Sequence, residues 1–344
     1  MKKYLIILGV TLTLILGTVS CTNIQSDDSD KTEIKTITIN EAQSDAEQEI
    51  SYKGFTFLDK ESAIEVLSTE DDYLIKLSQF DYASKYNSDK PLDKEGLEAT
   101  YDLTVLEYSE EQKRVIAEAM VIIHEKLDPL NVDMPEISFI LTSNADEGGA
   151  AYTRGSSIIL KSRHIGSKSS KGLEELIVHE MFHVYSRAHK DLRKDMYEVI
   201  GYQPCEELVV PSELADFMIS NPDAPDNNFY IEGTFNGEDY AFIPIIYSSE
   251  AYEIGSGRSF FETLNDDMLA VTIKEGVAEP VKTGDELLII KKNQIEGFYD
   301  KIGMNTDYTY HPEETIADNF VFLVFGDEVK SPWVVEGLKK VICE

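Results

Sequence analysis

A chain of 344 residues, 42% of them hydrophobic and 28% charged, is long enough and mixed enough to bury a large globular core. Its 64 acidic residues outnumber the 31 basic ones, for a formal charge of −33. That balance excludes nucleic acid as a partner, because phosphate binding needs a basic surface.

Residues 1–20 do not read as part of the fold. Lys2 and Lys3 precede an apolar run from Tyr4 to Leu16 and then small residues, which is the layout of a secretory signal peptide. Cys21, directly after them, resembles the lipidated cysteine of a bacterial lipoprotein. The resemblance implies an exported protein in the cell envelope, held to the membrane through lipid on Cys21. Residues 21–50 are polar and acidic; they bury too little to offset chain entropy, which predicts a flexible tether. One domain then occupies 51–344. Export permits a bridge between the two remaining cysteines, Cys205 and Cys343. No later segment approaches the ~18 consecutive apolar residues of a membrane span.

Within that domain the stretch 60–88 has helical patterning. A stronger helix is predicted over 109–127, where Ser109 and Gln112 form a capping box and Val115, Ile116, Met120, Ile123 and Leu127 recur at helical spacing. The stretches 137–143 and 150–162 read as strands, rich in Ile, Tyr and Thr and broken by Gly148, Gly149 and Gly155. A helix from Leu173 to Arg187 follows, with Leu173, Leu176, Ile177, Met181, Phe182 and Val184 on its buried side. Residues 221–247 read as a turn-rich entry into a β-hairpin with "NGED" as its turn. A last helical section runs from Pro312 to the chain end.

The helix over 173–187 carries "HEMFH", residues 179–183. Residues four apart on a helix lie about 40° from each other, so His179 and His183 share a face and can hold one ion. Glu180 lies a further ~60° round, within reach of a water on that ion. Zinc accepts imidazole nitrogen, and a catalytic site uses three protein ligands plus water. Three residues compete for the third position. His189 extends the motif to the metzincin spacing, but Ser186 stands where a glycine is needed, and a non-glycine residue in the left-handed turn costs ~1 kcal/mol or more. If the helix continues, His189 points roughly 80° away from the ligand face. Glu213 follows His183 by thirty residues. In "YHPEETIADNF", residues 310–320, Pro312 suits a first helical turn and acids there suit its dipole. Glu314 and Asp318 then lie four apart on one face, so that one can bind metal while the other accepts the free N–H of a ligand histidine.

The pattern Glu-x-x-x-Asp after an HExxH helix resembles that of the gluzincins, thermolysin and its relatives. More closely, "HEMFHVYSR", "NPDAP", "IGMNTDY" and "HPEETIADNF", in that order, are similar to a group of exported bacterial zinc-peptidase-like proteins without an assigned substrate. That likeness spans roughly residues 110–325. It implies an α+β, zincin-like fold: a small mixed sheet with an edge hairpin, the HExxH helix, and a mostly helical C-terminal part. It also implies Zn2+ held by His179, His183 and Glu314, with Glu180 as base and Asp318 behind a ligand histidine.

Zinc lowers the pKa of a bound water to about 7. Glu180 would take the proton and pass it to the leaving amine. A donor for the developing oxyanion is sought among Tyr308, Tyr310 and His311, against the plainer reading of His311 as a helix cap and the tyrosines as packing groups. Arg187 is expected to pair a carboxylate. The strand over 150–162 would pair with extended peptide, Gly148 and Gly149 permitting close approach. The expected function is a zinc metallopeptidase acting on peptide or protein. Its rival is a non-catalytic surface-binding lipoprotein on the same fold, for which Glu180 would have no use.

Overall fold

Two strands legible in the sequence pair in parallel, and that pairing organises the first half of the molecule. The computed structural model describes residues 54–343. The expected signal peptide, Cys21 and the expected tether lie outside the described residues. In chain order come β1 (Phe55–Phe57), α1 (Lys60–Ser68), α2 (Gln79–Lys85), α3 (Lys94–Thr104), β2 (Val105–Leu106) and α4 (Glu110–Leu127). Next are β3 (Ile137–Thr142), β4 (Tyr152–Arg154), β5 (Ser157–Lys161) and α5 (Lys171–Ala188).

β3 pairs in parallel with β1 on one side and β5 on the other, while β4 folds back antiparallel on β5 and forms the edge. The result is a mixed sheet with a hairpin at its edge. Gly155, at φ +59°, supplies the left-handed turn between the hairpin's strands. Phe139, Leu141, Ile158 and Leu160 point to a core shared with α4 and α5, and Ile140 and Ile159 to a second core under α1 and α3. Helices therefore cover both faces, which is why β3 and β5 are buried along their whole length. The predicted capping box of α4 is present: Ser109 Oγ accepts the Gln112 N–H at 3.3 Å and Gln112 Oε1 accepts the Ser109 N–H at 2.9 Å.

The part after α5 differs from expectation. Beyond α6 (Arg193–Glu198) lies an antiparallel sheet of β6 (Tyr202–Pro204), β7 (Phe229–Phe235), β8 (Glu238–Ser248), β9 (Leu264–Lys274) and β10 (Val277–Pro280), with α7 (Ser212–Ala215) between β6 and β7. Only α8 (Phe298–Ile302), α9 (Pro312–Phe325) and α10 (Pro332–Cys343) make the end helical. The expected hairpin is β7–β8, and its two-residue turn is Asn236-Gly237, both at positive φ. What the sequence reading missed is that β9 and β10 extend this hairpin into a sheet with two buried faces. Ile231, Phe242, Met268 and Ala270 face the main core; Ile243, Ile245, Leu269 and Val271 face a separate one. The separation of 131 positions from His183 to Glu314 is long because this sheet is inserted between the two helices that carry them. Cys205 packs at the inserted sheet and Cys343 against the main core, and the permitted bridge is not formed. Among the described residues, no helix is long and apolar enough to cross a membrane.

Candidate metal centre

α5 starts where Ser170 Oγ accepts the Leu173 N–H, and it runs unbroken to a cap at His189. α9 starts where His311 Nδ1 accepts the Glu313 N–H at 3.1 Å, has Pro312 in its first turn, and ends at Gly326 in the left-handed region. The two helices pack directly, with the Phe182 and Phe320 rings 5.6 Å apart. This contact brings the first turn of α9 over the middle of α5.

At the crossing, one ligand atom from each of His179, His183 and Glu314 lies within 4.8 Å of the others. Glu314 Oε2 is 3.1 Å from His179 Nε2 and 3.4 Å from His183 Nε2. Its other oxygen accepts from Asn221 Nδ2 at 2.5 Å. The two Nδ1 atoms are engaged behind the site: His179 Nδ1–H donates to Asp318 Oδ1 at 2.9 Å and His183 Nδ1–H to Glu313 Oε1 at 3.0 Å. A carboxylate only accepts, so each Nδ1 must carry the proton, and each Nε2 is left as the inward donor atom. That is the outer arrangement metal-bound histidines use. Asp318 is itself held by Thr306, and Glu313 by Tyr197 and by Ser186 Oγ at 2.7 Å.

The donor set fits zinc. Two imidazole nitrogens and one carboxylate oxygen are its usual catalytic ligands. His183 Nε2 is buried with no hydrogen-bond partner, which in a native interior calls for one. Burial works against a charged imidazole, yet Asp318 and Glu314 push His179 up to about 10. Burial likewise opposes charge on His183, but Asp223, Glu314 and Glu313 hold it well above the ordinary range. In Glu314 burial is overcome by the two facing rings, and its carboxyl lies well below the usual value. Positive charge is therefore favoured at the point where the three donors meet.

Glu180 is buried, and its Oε2 has no hydrogen-bond partner. With His183 and Asp223 it forms a second cluster of ligand-type atoms within 4.8 Å. Burial and the Asp223 carboxylate push Glu180 up to about 8, against the lowering pull of the two histidines.

Of the other candidates, His189 caps α5 outside the cluster; its Nδ1 bonds the Tyr185 carbonyl at 3.0 Å and its ring stacks on Tyr185. The metzincin turn is not made: Ser186 is inside the helix, and its hydroxyl serves Glu313. Glu213 is a surface residue paired with Lys282. His311 caps α9, and both its ring nitrogens are engaged, one with the Glu313 N–H and one with the Asp226 carbonyl. Between the tyrosines the nearer is Tyr308: its ring lies 5.8 Å from that of His179, and the Glu314 charge, then burial, raise its hydroxyl pKa. Tyr310 packs on the far side of Tyr308, with Lys292 over its face.

Arg187 donates to the Gly155 carbonyl, Thr153 Oγ1 and the Pro222 carbonyl rather than pairing a carboxylate. Close approach to Gly148 is made from within the chain, since a Cβ there would meet the Phe261 ring at 2.7 Å. Sequence reading missed Glu313, Asn221 and Asp223. The doubled acid after Pro312 was a signal for the first. For the others the signal was a proline-bracketed "NPDAP" with no evident turn partner.

No protein-family model matches the chain, and no match was found among curated proteins or solved structures.

Proposed function

We propose that this protein is a zinc-dependent metallopeptidase of gluzincin type on a zincin-like fold, exported and anchored to a bacterial membrane by lipid on Cys21. The observation that carries the reading is the convergence of His179 Nε2, His183 Nε2 and Glu314 Oε2, each backed by a residue that fixes its orientation. A mixed sheet edged by a hairpin, followed by the helix bearing both histidines, supports the zincin-like assignment. Zinc, when bound, supplies Lewis acidity that polarises a carbonyl and acidifies water.

The remaining work falls to the chain. Asp318 and Glu313 keep the two imidazoles in the required tautomer. Asn221 holds one oxygen of Glu314 so that the other faces the rings. Glu180, with a free buried oxygen and an affinity for protons near neutrality, accepts a proton from water and returns it to the leaving amine. Tyr308 donates to the carbonyl oxygen as negative charge develops there.

Purified protein is expected to hold about one zinc per chain. Glu314→Ala removes that zinc and His189→Ala leaves it in place. Glu180→Gln keeps the metal and loses peptide hydrolysis by about 10²–10⁴-fold. Metal content by plasma spectrometry and a peptide-library digest check these outcomes. Zinc retained by Glu314→Ala, or full activity in Glu180→Gln, refutes the assignment.

A further inference from the structure

We propose that the site takes peptides by their free amino terminus, with Asp223 as the carboxylate that receives the α-ammonium group, so that one residue is released per turnover. This deepens the hydrolase reading and rests on it.

The argument begins at the sheet edge. An exposed antiparallel edge strand offers its outward N–H groups to an added peptide. At Thr153 of β4 that position is filled. Asp223 Oδ1 accepts the Thr153 N–H at 2.7 Å and the Thr153 hydroxyl at 2.5 Å. β4 itself is buried along its length, so a substrate reaches it along the half-buried Ala150 and Ala151, meets a carboxylate at Thr153 and cannot continue past it.

The segment bearing Asp223 is fixed rather than a loose flap. Ser220 N–H donates to Asp81 at 3.1 Å, Ser220 Oγ to the Lys76 carbonyl at 2.9 Å, and Lys85 Nζ to the Ser220 carbonyl at 2.7 Å. Arg187 holds the Pro222 carbonyl, and Lys76 pairs with Asp226 on the far side. Blockage at Thr153 is thus part of the resting architecture.

Charge decides which chain end stops there. Asp223 is buried, and a ligand-type atom of it lies within 4.8 Å of those of Glu180 and His183. Glu180 Oε2 is buried and unpartnered in the same cluster. A substrate carboxylate would face two acids, and the nearest guanidinium, Arg187, is engaged with Gly155, Thr153 and Pro222. An ammonium group pairs with Asp223 and leaves Glu180 free to take the proton from water. Beside Asp223 lies a cavity of about 80 Å³ walled by Tyr152, Phe260, Phe261 and Tyr308, with Lys85 also on its wall but paired to Glu147 and Asp81. That volume suits a single apolar side chain and falls far below the roughly 300–1,000 Å³ of a whole-ligand site.

In the reaction, water adds its oxygen to the carbonyl carbon of the first residue while Glu180 takes a proton from it. The bond from that carbon to the second residue's nitrogen breaks, and the proton passes to the departing amine. The products are a free amino acid and a peptide one residue shorter.

The test uses zinc-loaded protein and two peptides of one sequence, with an N-terminal leucine either free or acetylated. Mass spectrometry should show leucine, then successive residues, leaving the free peptide, with the acetylated one intact. Calorimetry on Glu180→Gln should show the free peptide binding about ten-fold tighter or more, the scale for a desolvated charge pair. Asp223→Asn, which can still accept from Thr153, should lose that preference with zinc content unchanged. Internal cuts in the acetylated peptide at the same rate, or equal binding of the two peptides, overturn the proposal. Loss of zinc in Asp223→Asn also overturns it, by making Asp223 a metal ligand. If neither peptide is cut, the hydrolase reading fails, and the binding comparison still decides the ammonium site.

Discussion

At the scale of single residues, the site depends on which nitrogen of each histidine carries a proton, and two carboxylates on α9 settle that. Asp318 was legible because Glu314 and Asp318 are four apart on a helix with a proline start. Glu313 was not. The doubled acid after Pro312 was the one signal, but adjacent residues on a helix point about 100° apart, so it did not indicate that both Glu313 and Glu314 would meet α5, one behind His183 and one in front of it. Glu313→Gln replaces an acceptor-only group by one that can present N–H to His183 Nδ1. Zinc affinity should fall about 10–100-fold, the usual effect of losing such a partner, with the fold retained. A competition titration against a chelating dye measures it.

Among the elements, α5 and α9 decide the geometry, and their contact is apolar. Phe320 is fully buried and packs on Phe182, one residue before the proposed ligand His183. Phe320→Ala should cost about 3–5 kcal/mol by cavity formation, read from urea denaturation of the metal-free protein. The same variant should bind zinc more weakly, because α9 carries Glu314 and loses its anchor on α5. α4, the β4–β5 hairpin, α5 and the β7–β8 hairpin were all readable, since each declares itself by a cap, a turn pair or a hydrophobic period. The rest of the inserted sheet was not. β9 is buried on both faces over residues 267–271 and so lacks the alternation that marks a half-exposed strand, while β6 and β10, of three and four residues, are too short to show a period.

For the molecule as a whole, the proposed zinc site sets protons and zinc in competition for the same cavity. His179 is raised from 6.5 to about 10 and Glu180 from 4.5 to about 8 in the folded, metal-free protein. A group whose folded pKa is raised contributes stability that is complete below its unfolded value and is lost as pH rises through the folded value. Metal-free protein should therefore lose stability progressively between about pH 4.5 and 10, through Glu180 over the lower part of that range and His179 over the upper. Zinc needs the unprotonated rings, so its binding releases protons and strengthens over the same range. The gap in Tm between zinc-loaded and stripped protein should widen as pH rises from 6.5. Scanning calorimetry at several pH values tests this, and a gap that narrows would contradict it.

The sequence by itself determined the two histidines and their neighbouring acid, since a helix puts residues four apart on one face whatever surrounds it. It also determined that a helix begins at Pro312 with acids in its first turn. Tertiary structure alone decided that these two helices cross, because the 130 residues between His183 and Glu314 include a sheet whose pairing depends on distant contacts. Only the folded chain, likewise, brings Asp223 against Thr153, seventy residues away in sequence. Local periodicity carries information across one or two turns of chain. Convergence over longer separations is set by which faces must leave water together, and no short window of sequence records that.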